Sequence, residues 1–353
     1  MAWSCGIVGL PNAGKSTLFK ALTALDVSIE SYPFSTINPN KAVVPIPDQR
    51  LSELAALCDS QKVTPATITV FDVAGLVEGA SRGEGLGNQF LGHLRDVDLL
   101  IHVVAGFEQP GSDYLDPAAR LEIVDLELNL ADIEVISRRR QKLEPKLKSG
   151  DQSAQYELDL LSTLEEHLNL GTALRDLSFS REDELYLDQL SLLTRKDMLY
   201  VYNLNEAYFL DPDCSFFPSN SPVVPMCASL EAELTELPAE ERKSFLRAYG
   251  LQESRTEKLL QDCYKDLGLI TFYTVKGNEA RAWVVPSGIR AVNAAGRVHS
   301  DMESGFINVE VIEWKALLSE GSLARAREKG ICRVEGRDYP VKDGEVLFFR
   351  FRN

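Results

Sequence analysis

The chain has 353 residues, 44% of them apolar, with 37 Lys and Arg against 53 Asp and Glu and a formal net charge of −16. That length and apolar share suit two or three packed domains, and no run of eighteen apolar residues exists that could cross a bilayer. The acidity excludes a general nucleic-acid-coating protein, but Gly268–Asn353 alone carries 13 Lys and Arg against 11 Asp and Glu, so RNA contact is expected only there or through local patches.

Six cysteines stand apart with no C-x-x-C pair, which reads as reduced thiols in a cytoplasmic protein and not as a disulfide framework or zinc site. The opening Met-Ala-Trp-Ser-Cys runs directly into a strand and leaves no room for a signal peptide. Ser4–Val8 is that strand, a short apolar run. Gly9–Thr17, Gly-Leu-Pro-Asn-Ala-Gly-Lys-Ser-Thr, matches G-x-x-x-x-G-K-[ST] at every defined position, and Leu18–Leu22 continues with helix formers. Strand, glycine loop and helix are the context this motif requires. The glycines let backbone N–H groups curl around phosphate oxygens, and the helix N-terminus adds partial positive charge. Lys15 is expected to reach the β- and γ-phosphates, and the Ser16 hydroxyl to ligate Mg²⁺. The chain is therefore expected to bind a nucleoside triphosphate.

Ser31–Asn40 is a loop by its prolines and small polar residues, and Thr36 is the candidate that closes on Mg²⁺ when a γ-phosphate is present. Thr67–Val73 reads as a β-branched strand that delivers Asp72-Val73-Ala74-Gly75, about 55 residues beyond the phosphate loop. There a carboxylate would hold Mg²⁺ through water, and the Gly75 N–H would sense the γ-phosphate. Leu76 stands where Ras-like enzymes carry the glutamine that orients the attacking water, so slow intrinsic hydrolysis or another orienting group is expected. The run Gly79–Gly87 is too rich in glycine for a stable helix and is expected to move in the absence of nucleotide. Asp98–Val104 is the next buried strand, with His102 read as a core residue.

From Pro117 to Lys196 the periodicity turns helical. Leu121, Val124, Leu128, Ala131 and Val135 recur at three- and four-residue spacing, and Asp151–Leu170 repeats the pattern after the turn Lys148-Ser149-Gly150. Ser180 and Asp183 form a capping pair for a further helix. The segment reads as a projecting antiparallel hairpin, and Arg138-Arg139-Arg140 with Lys142, Lys146 and Lys148 is a candidate RNA contact. Met198–Tyr202 is a strand leading to Asn203-Leu204-Asn205-Glu206, where a guanine reader would have Asn-Lys-x-Asp. Leucine removes the lysine stem from the nucleotide. Glutamate is a methylene too long for the bidentate contact to guanine, which favours ATP or weakens discrimination. The strand Val223–Ser229 would bring the backbone at Ala228 near the base, and charged helices follow around Glu231–Tyr249 and Glu253–Leu267.

Gly268–Asn353 reads as a compact α+β unit, with strands at Ile270–Val275, Ala280–Val285, Phe306–Ile312, Cys332–Val334 and Val346–Phe351 and a helix around Glu313–Leu318. It holds no catalytic constellation, and its one histidine, His299, is read as part of an exposed turn beside Asp301.

Across its whole length the sequence resembles the YchF/Obg-like ATPase family. The residues that carry the resemblance are Cys5–Asn12, Tyr32-Pro33-Phe34 with Thr36–Asn40, Asp72–Leu91, Asn203-x-x-Glu206, Arg281-Ala282-Trp283 and Val341–Gly344. The resemblance implies an α/β phosphate-loop domain (1–116 and 197–267) with a mostly parallel sheet, interrupted by a helical hairpin (117–196) and followed by a TGS domain of β-grasp fold (268–353). It further implies ATP hydrolysis preferred over GTP, and binding to the ribosome at its large subunit, as a monomer. Phosphate would then be held by Asn12, Ala13, Gly14, Lys15, Ser16 and Thr17. Mg²⁺ would sit on Ser16 and Thr36 with Asp72 behind water, and adenine would be met by Asn203, Leu204 and the Glu206 and Ala228 region. Family members often carry a histidine in the loop after the His102 strand, whereas Phe107–Asp116 has none here. Related switch enzymes use an asparagine at the Asn12 position to hold K⁺ beside the phosphates. The leading expectation is a slow ATPase switch on the ribosome, against a GTP-dependent translation factor or a nucleotide-gated binding protein with incidental hydrolysis.

Overall fold

The computed structural model describes residues 3–24, 41–72, 86–108, 116–148 and 151–352. Seven strands belong to the N-terminal two thirds: β1 (Ser4–Val8), β2 (Lys41–Pro45), β3 (Lys62–Thr64), β4 (Thr67–Asp72), β5 (Leu99–Ala105), β6 (Asp197–Asn203) and β7 (Val223–Met226). All but β3 form one sheet in the order β2-β4-β1-β5-β6-β7, parallel throughout except for β2, which runs against β4. A parallel sheet is covered on both faces, so its central strands are apolar without alternation. Every residue of β1 and of β5 is accordingly buried.

Helices α1 (Lys15–Thr23), α2 (Gln49–Leu57) and α3 (Leu86–Arg95) come from the first half of the chain. The next two are α4 (Pro117–Lys148) and α5 (Gln152–Asn169), with α6 (Arg181–Leu187), α7 (Ala228–Glu236), α8 (Ala239–Ala248) and α9 (Arg255–Asp266) after them. One face of the sheet packs on α1, α2 and α9 through Leu18, Leu22, Leu54 and Leu259. The other packs on α3, the first half of α4 and α7 through Leu94, Val124, Leu128 and Leu234. The segment expected as one helix over Glu231–Tyr249 is two, because Pro238 lacks an N–H and becomes the N-cap of α8.

Helix α4 has 32 residues, about 48 Å of axis, and serves two cores. Its first turns lie on the sheet, while Ile136 and Leu143 join Ala154, Leu161, Leu164 and Leu168 of α5 in a separate cluster. Asp132, fully buried at the changeover, accepts from Leu193 N, Thr194 N and Thr194 Oγ1 at 3.0, 2.8 and 2.8 Å and pairs with Arg95 at 2.9 Å. The expected Ser180–Asp183 pair is present as a full capping box. The arginine cluster is not a bare basic patch: Arg138 pairs with Glu134, Arg139 with Glu157 and Tyr186, and Arg140 with Glu165. The acidic face of α5 lies alongside and takes up two of these charges.

The C-terminal part adds β8 (Leu269–Lys276), β9 (Glu279–Pro286), β10 (Phe306–Glu313), β11 (Arg333–Glu335) and β12 (Glu345–Phe351), with α10 (Ala291–Val298), α11 (Ser300–Ser304), α12 (Trp314–Glu320) and α13 (Leu323–Glu328). This is a β-grasp sheet of order β11-β10-β12-β8-β9-β3, in which α10 covers one face over Phe272, Val285, Val309 and Leu347. Its sixth strand, β3, comes from the nucleotide-binding part and pairs parallel to β9 through Val63↔Ala280. Asp48 at the N-cap of α2 accepts from Arg50 N at 3.0 Å and from Tyr273 Oη at 2.5 Å. Arg50 reaches on to Asp343 at 2.6 Å, and Asp343 accepts from Thr271 N at 2.8 Å. The two parts thus share a strand, an ion-pair chain and one continuous apolar cluster.

Candidate functional site

The loop after β1 is shaped by close approach. A Cβ on Gly9, at φ 149°, would lie 2.4 Å from Val103 O, and one on Gly14, at φ 96°, would lie 2.1 Å from Asn203 Nδ2. Asn12 holds a left-handed φ of 59° and is exposed, and Ala13 N closes the turn on Leu10 O at 3.3 Å. Gly14 is the N-cap of α1 and has no side chain to cap it, and the first turn carries no acidic residue. The opening N–H groups and their partial positive charge are therefore left to an anionic ligand and not to a side-chain cap. Ser16 is exposed and Thr17 half-buried on that turn.

Lys15 folds back over the loop and donates to Leu10 O at 2.7 Å; it is 6% exposed. Burial lowers its pKa to about 8, against the opposing pull of Asp72. Asp72 ends β4, and its buried Oδ1 finds no hydrogen-bond partner among the described residues. A buried carboxylate oxygen without a partner is costly, and a hydrated divalent cation beside the exposed Ser16 hydroxyl would satisfy it. The donor set is all oxygen, which suits Mg²⁺. When bound, Mg²⁺ would neutralise charge on the β- and γ-phosphates. Thr36, Gly75 and Leu76, together with Gly79–Gly85 and most of the Phe107–Asp116 loop, lie outside the described residues.

Asn203, at the C-terminal end of β6, is 5% exposed and ties two segments together. Its Nδ2 donates to Ala13 O at 2.9 Å, and its Oδ1 accepts from Ala228 N at 3.0 Å. The asparagine expected to meet a base thus first holds the phosphate loop against the start of α7, and one N–H of its amide remains for a ligand. Leu204 is buried and its N–H is spent on Met226 O at 2.8 Å, so of its backbone groups only the carbonyl can meet a base. Ala228 is buried with its N–H on Asn203. Glu206 is exposed and accepts from the hydroxyl of Tyr249.

His102 is a core residue, as read: it is 1% exposed, neither ring nitrogen has a partner among the described residues, and burial lowers its pKa to about 3. Two residues escaped the sequence reading. Arg120 is buried on the first turn of α4 and donates to Ala105 O and Phe107 O, both at 2.8 Å, which holds the start of the loop after β5. Tyr249 reaches Glu206 from α8. Neither stands in a motif, and only the packing of distant helices reveals them.

The fold and the site define a phosphate-loop nucleoside-triphosphate-binding protein with a β-grasp domain at its C-terminus. The family model described as 50S ribosome-binding GTPase matches residues 4–142, and the YchF-GTPase C-terminal model, described as a protein of unknown function (DUF933), matches residues 269–352. The ribosome-binding ATPase YchF of Bacillus subtilis (strain 168) is 41% identical over 99% of this chain and 100% of its own length. The protein of the same name from Escherichia coli O157:H7 is 42% identical over 99% of both chains. The solved structure of the Schizosaccharomyces pombe YchF GTPase superimposes with a TM-score of 0.88 at 29% identity, over 99% of this chain and 97% of that one. The chain belongs to the YchF family.

Proposed function

We propose that this chain is an ATP-hydrolysing switch that binds the ribosome. The observation that carries the nucleotide half is the pairing of an uncapped α1 N-terminus and buried Lys15 with an Asp72 oxygen that has no partner among the described residues, an arrangement suited to a triphosphate and its Mg²⁺. In this reading Asn12 to Thr17 cradle the phosphates, Ser16, Thr36 and Asp72 hold Mg²⁺, and the Gly75 N–H meets the γ-phosphate. Asn203, the Leu204 carbonyl and the Ala228 segment border the adenine. K⁺ at Asn12 would add charge beside the transferred group. Leu76 in place of glutamine and the burial of His102 support slow intrinsic turnover. The names of the bacterial relatives support the ribosome as partner. The large subunit is the expected site, with local RNA contact through the net-positive C-terminal part, for a monomer working in the cytoplasm. Among the described residues no helix is long and apolar enough to cross a membrane.

The test is equilibrium binding of ATP and GTP to nucleotide-free protein in Mg²⁺ and K⁺, followed by sedimentation with ribosomes. ATP is expected to bind at least tenfold tighter, about 1.4 kcal/mol, and to raise the fraction that sediments with the large subunit. Tighter binding of GTP would overturn the adenine reading, and failure to sediment in either nucleotide would overturn the ribosomal one. Exchanging K⁺ for Na⁺ is expected to slow hydrolysis, and an unchanged rate would remove the role given to Asn12.

A further inference from the structure

Glu206 stands where a guanine-reading enzyme holds the aspartate that accepts from N1 and N2, and its carboxylate is already engaged by the Tyr249 hydroxyl. The tyrosine is the anchored member of this pair. It caps the C-terminus of α8, with its N–H on Phe245 O and Leu246 O, both at 3.2 Å. Its ring stacks on Phe245 with centroids 4.7 Å apart at 18°, and lies 6.2 Å from Phe209, which is 1% exposed. Glu206, by contrast, sits on an exposed turn.

We propose that Tyr249 is a specificity-determining residue: by holding the Glu206 carboxylate, it withdraws from the base edge the group that would reward guanine. This rests on the reading above that a purine lies over the Asn203–Glu206 loop. With the Leu204 N–H spent on Met226, the carbonyl is the one of Leu204's two backbone groups left to face the purine's 6-position. A carbonyl accepts from the amino group of adenine and opposes the carbonyl of guanine. Guanine could offset that mismatch only through charge-assisted bonds from N1 and N2 to a carboxylate, and Tyr249 ties one oxygen of that carboxylate, Oε1, to the end of α8. The hydrogen bond to Glu206 raises the pKa of the Tyr249 hydroxyl, so it stays a donor at neutral pH.

The test measures Kd for ATP and for GTP in the full-length wild type, Tyr249→Phe, Glu206→Gln and the double variant. Tyr249→Phe keeps the ring stack and removes only the hydroxyl. The ratio Kd(GTP)/Kd(ATP) is expected to fall at least fivefold in Tyr249→Phe, and not to fall when the same change is made beside Glu206→Gln, whose amide cannot accept from both nitrogens as a carboxylate does. A change below twofold in Tyr249→Phe, or an equal change with and without the Glu206 carboxylate, would overturn the proposal. If Tyr249→Phe unfolds, Glu206→Asp serves instead. Its shorter arm parts from the hydroxyl and suits guanine, so the same fall is expected, and an unchanged ratio would count against the proposal. A wild type that already prefers GTP would overturn the adenine reading and this proposal together. A wild type that prefers ATP with no response to Tyr249→Phe removes only the role of Tyr249.

Discussion

Replacing Asn203 with alanine tests what the site is built on. The carboxamide makes two bonds, 2.9 Å to Ala13 O and 3.0 Å from Ala228 N, at a position 5% exposed. Alanine leaves both backbone groups without that partner. Each such loss costs about 1–3 kcal/mol when the group stays buried, and water entering from the adjacent phosphate loop should keep the sum near the low end, about 2–3 kcal/mol. Part of this will appear as stability, a fall in Tm of roughly 4–10 °C by the scaling for domains of this size. The rest will appear as weaker triphosphate binding, because the loop that must present its N–H groups is no longer held. A decisive assay compares ATP with inorganic tripolyphosphate, which has no base. If Asn203 positions the loop, both ligands weaken together, by about tenfold or more. If ATP weakens while tripolyphosphate and Tm are unchanged, Asn203 acts on the base alone and the reasoning is refuted.

Lys15 has its pKa lowered from 10.5 to about 8 in the folded chain, so the nucleotide-free protein bears a burial penalty below pH 8 that is relieved as pH rises through 8 toward 10.5. A triphosphate restores the charged form, so binding should take up protons increasingly from pH 7 to 9, read by calorimetry in two buffers of different ionisation enthalpy; no uptake would count against this role. Asp72→Asn removes the charge that the proposed site would turn toward Mg²⁺ and should weaken the Mg²⁺-dependent gain in ATP affinity at least tenfold, about 1.4 kcal/mol; an unchanged Mg²⁺ titration would argue against it. Asp132→Ala strips a fully buried carboxylate from four donors and leaves Arg95 with only the Ser191 and Ala131 carbonyls and no counter-charge. It should cost about 3–5 kcal/mol in urea unfolding, and a loss under about 1 kcal/mol would contradict the clamp.

The shared strand gives the two parts a mechanical relation that neither has alone. β3 lies in the C-terminal sheet, and β4, which ends at Asp72, begins three residues after it. A shift at Asp72 on nucleotide binding is therefore only one short strand away from the β-grasp sheet. The Asp48–Tyr273 and Arg50–Asp343 contacts brace the same junction.

Much of the architecture was legible locally. The phosphate loop announces itself because the glycine positions, lysine and serine are consecutive and their strand and helix adjoin them. Parallel strands such as Leu99–Ala105 are continuous apolar runs, and the five C-terminal strands were found within a residue or two because turns such as Lys342-Asp343-Gly344 bracket them. The start of a separate helix at Ala239 was missed because the amphipathic pattern runs through Pro238. The contribution of β3 to the other sheet could not be read from three residues whose partner lies beyond position 278.

By itself, then, the sequence determined a phosphate-binding loop, its supporting α/β sheet, the helical hairpin and a compact α+β unit at the C-terminus, all of which follow from spacing and periodicity along one stretch of chain, while the β-grasp character of that last unit came from the resemblance to a family. Tertiary structure alone decided what those parts do to one another. It set Asn203 against Ala13, 190 residues away; Tyr249 against Glu206, 43 away; and Tyr273 against Asp48, 225 away. Hydrogen bonds act over about 3 Å of space whatever the separation in sequence, so the committed and the free groups of a binding site emerge only once the chain has folded.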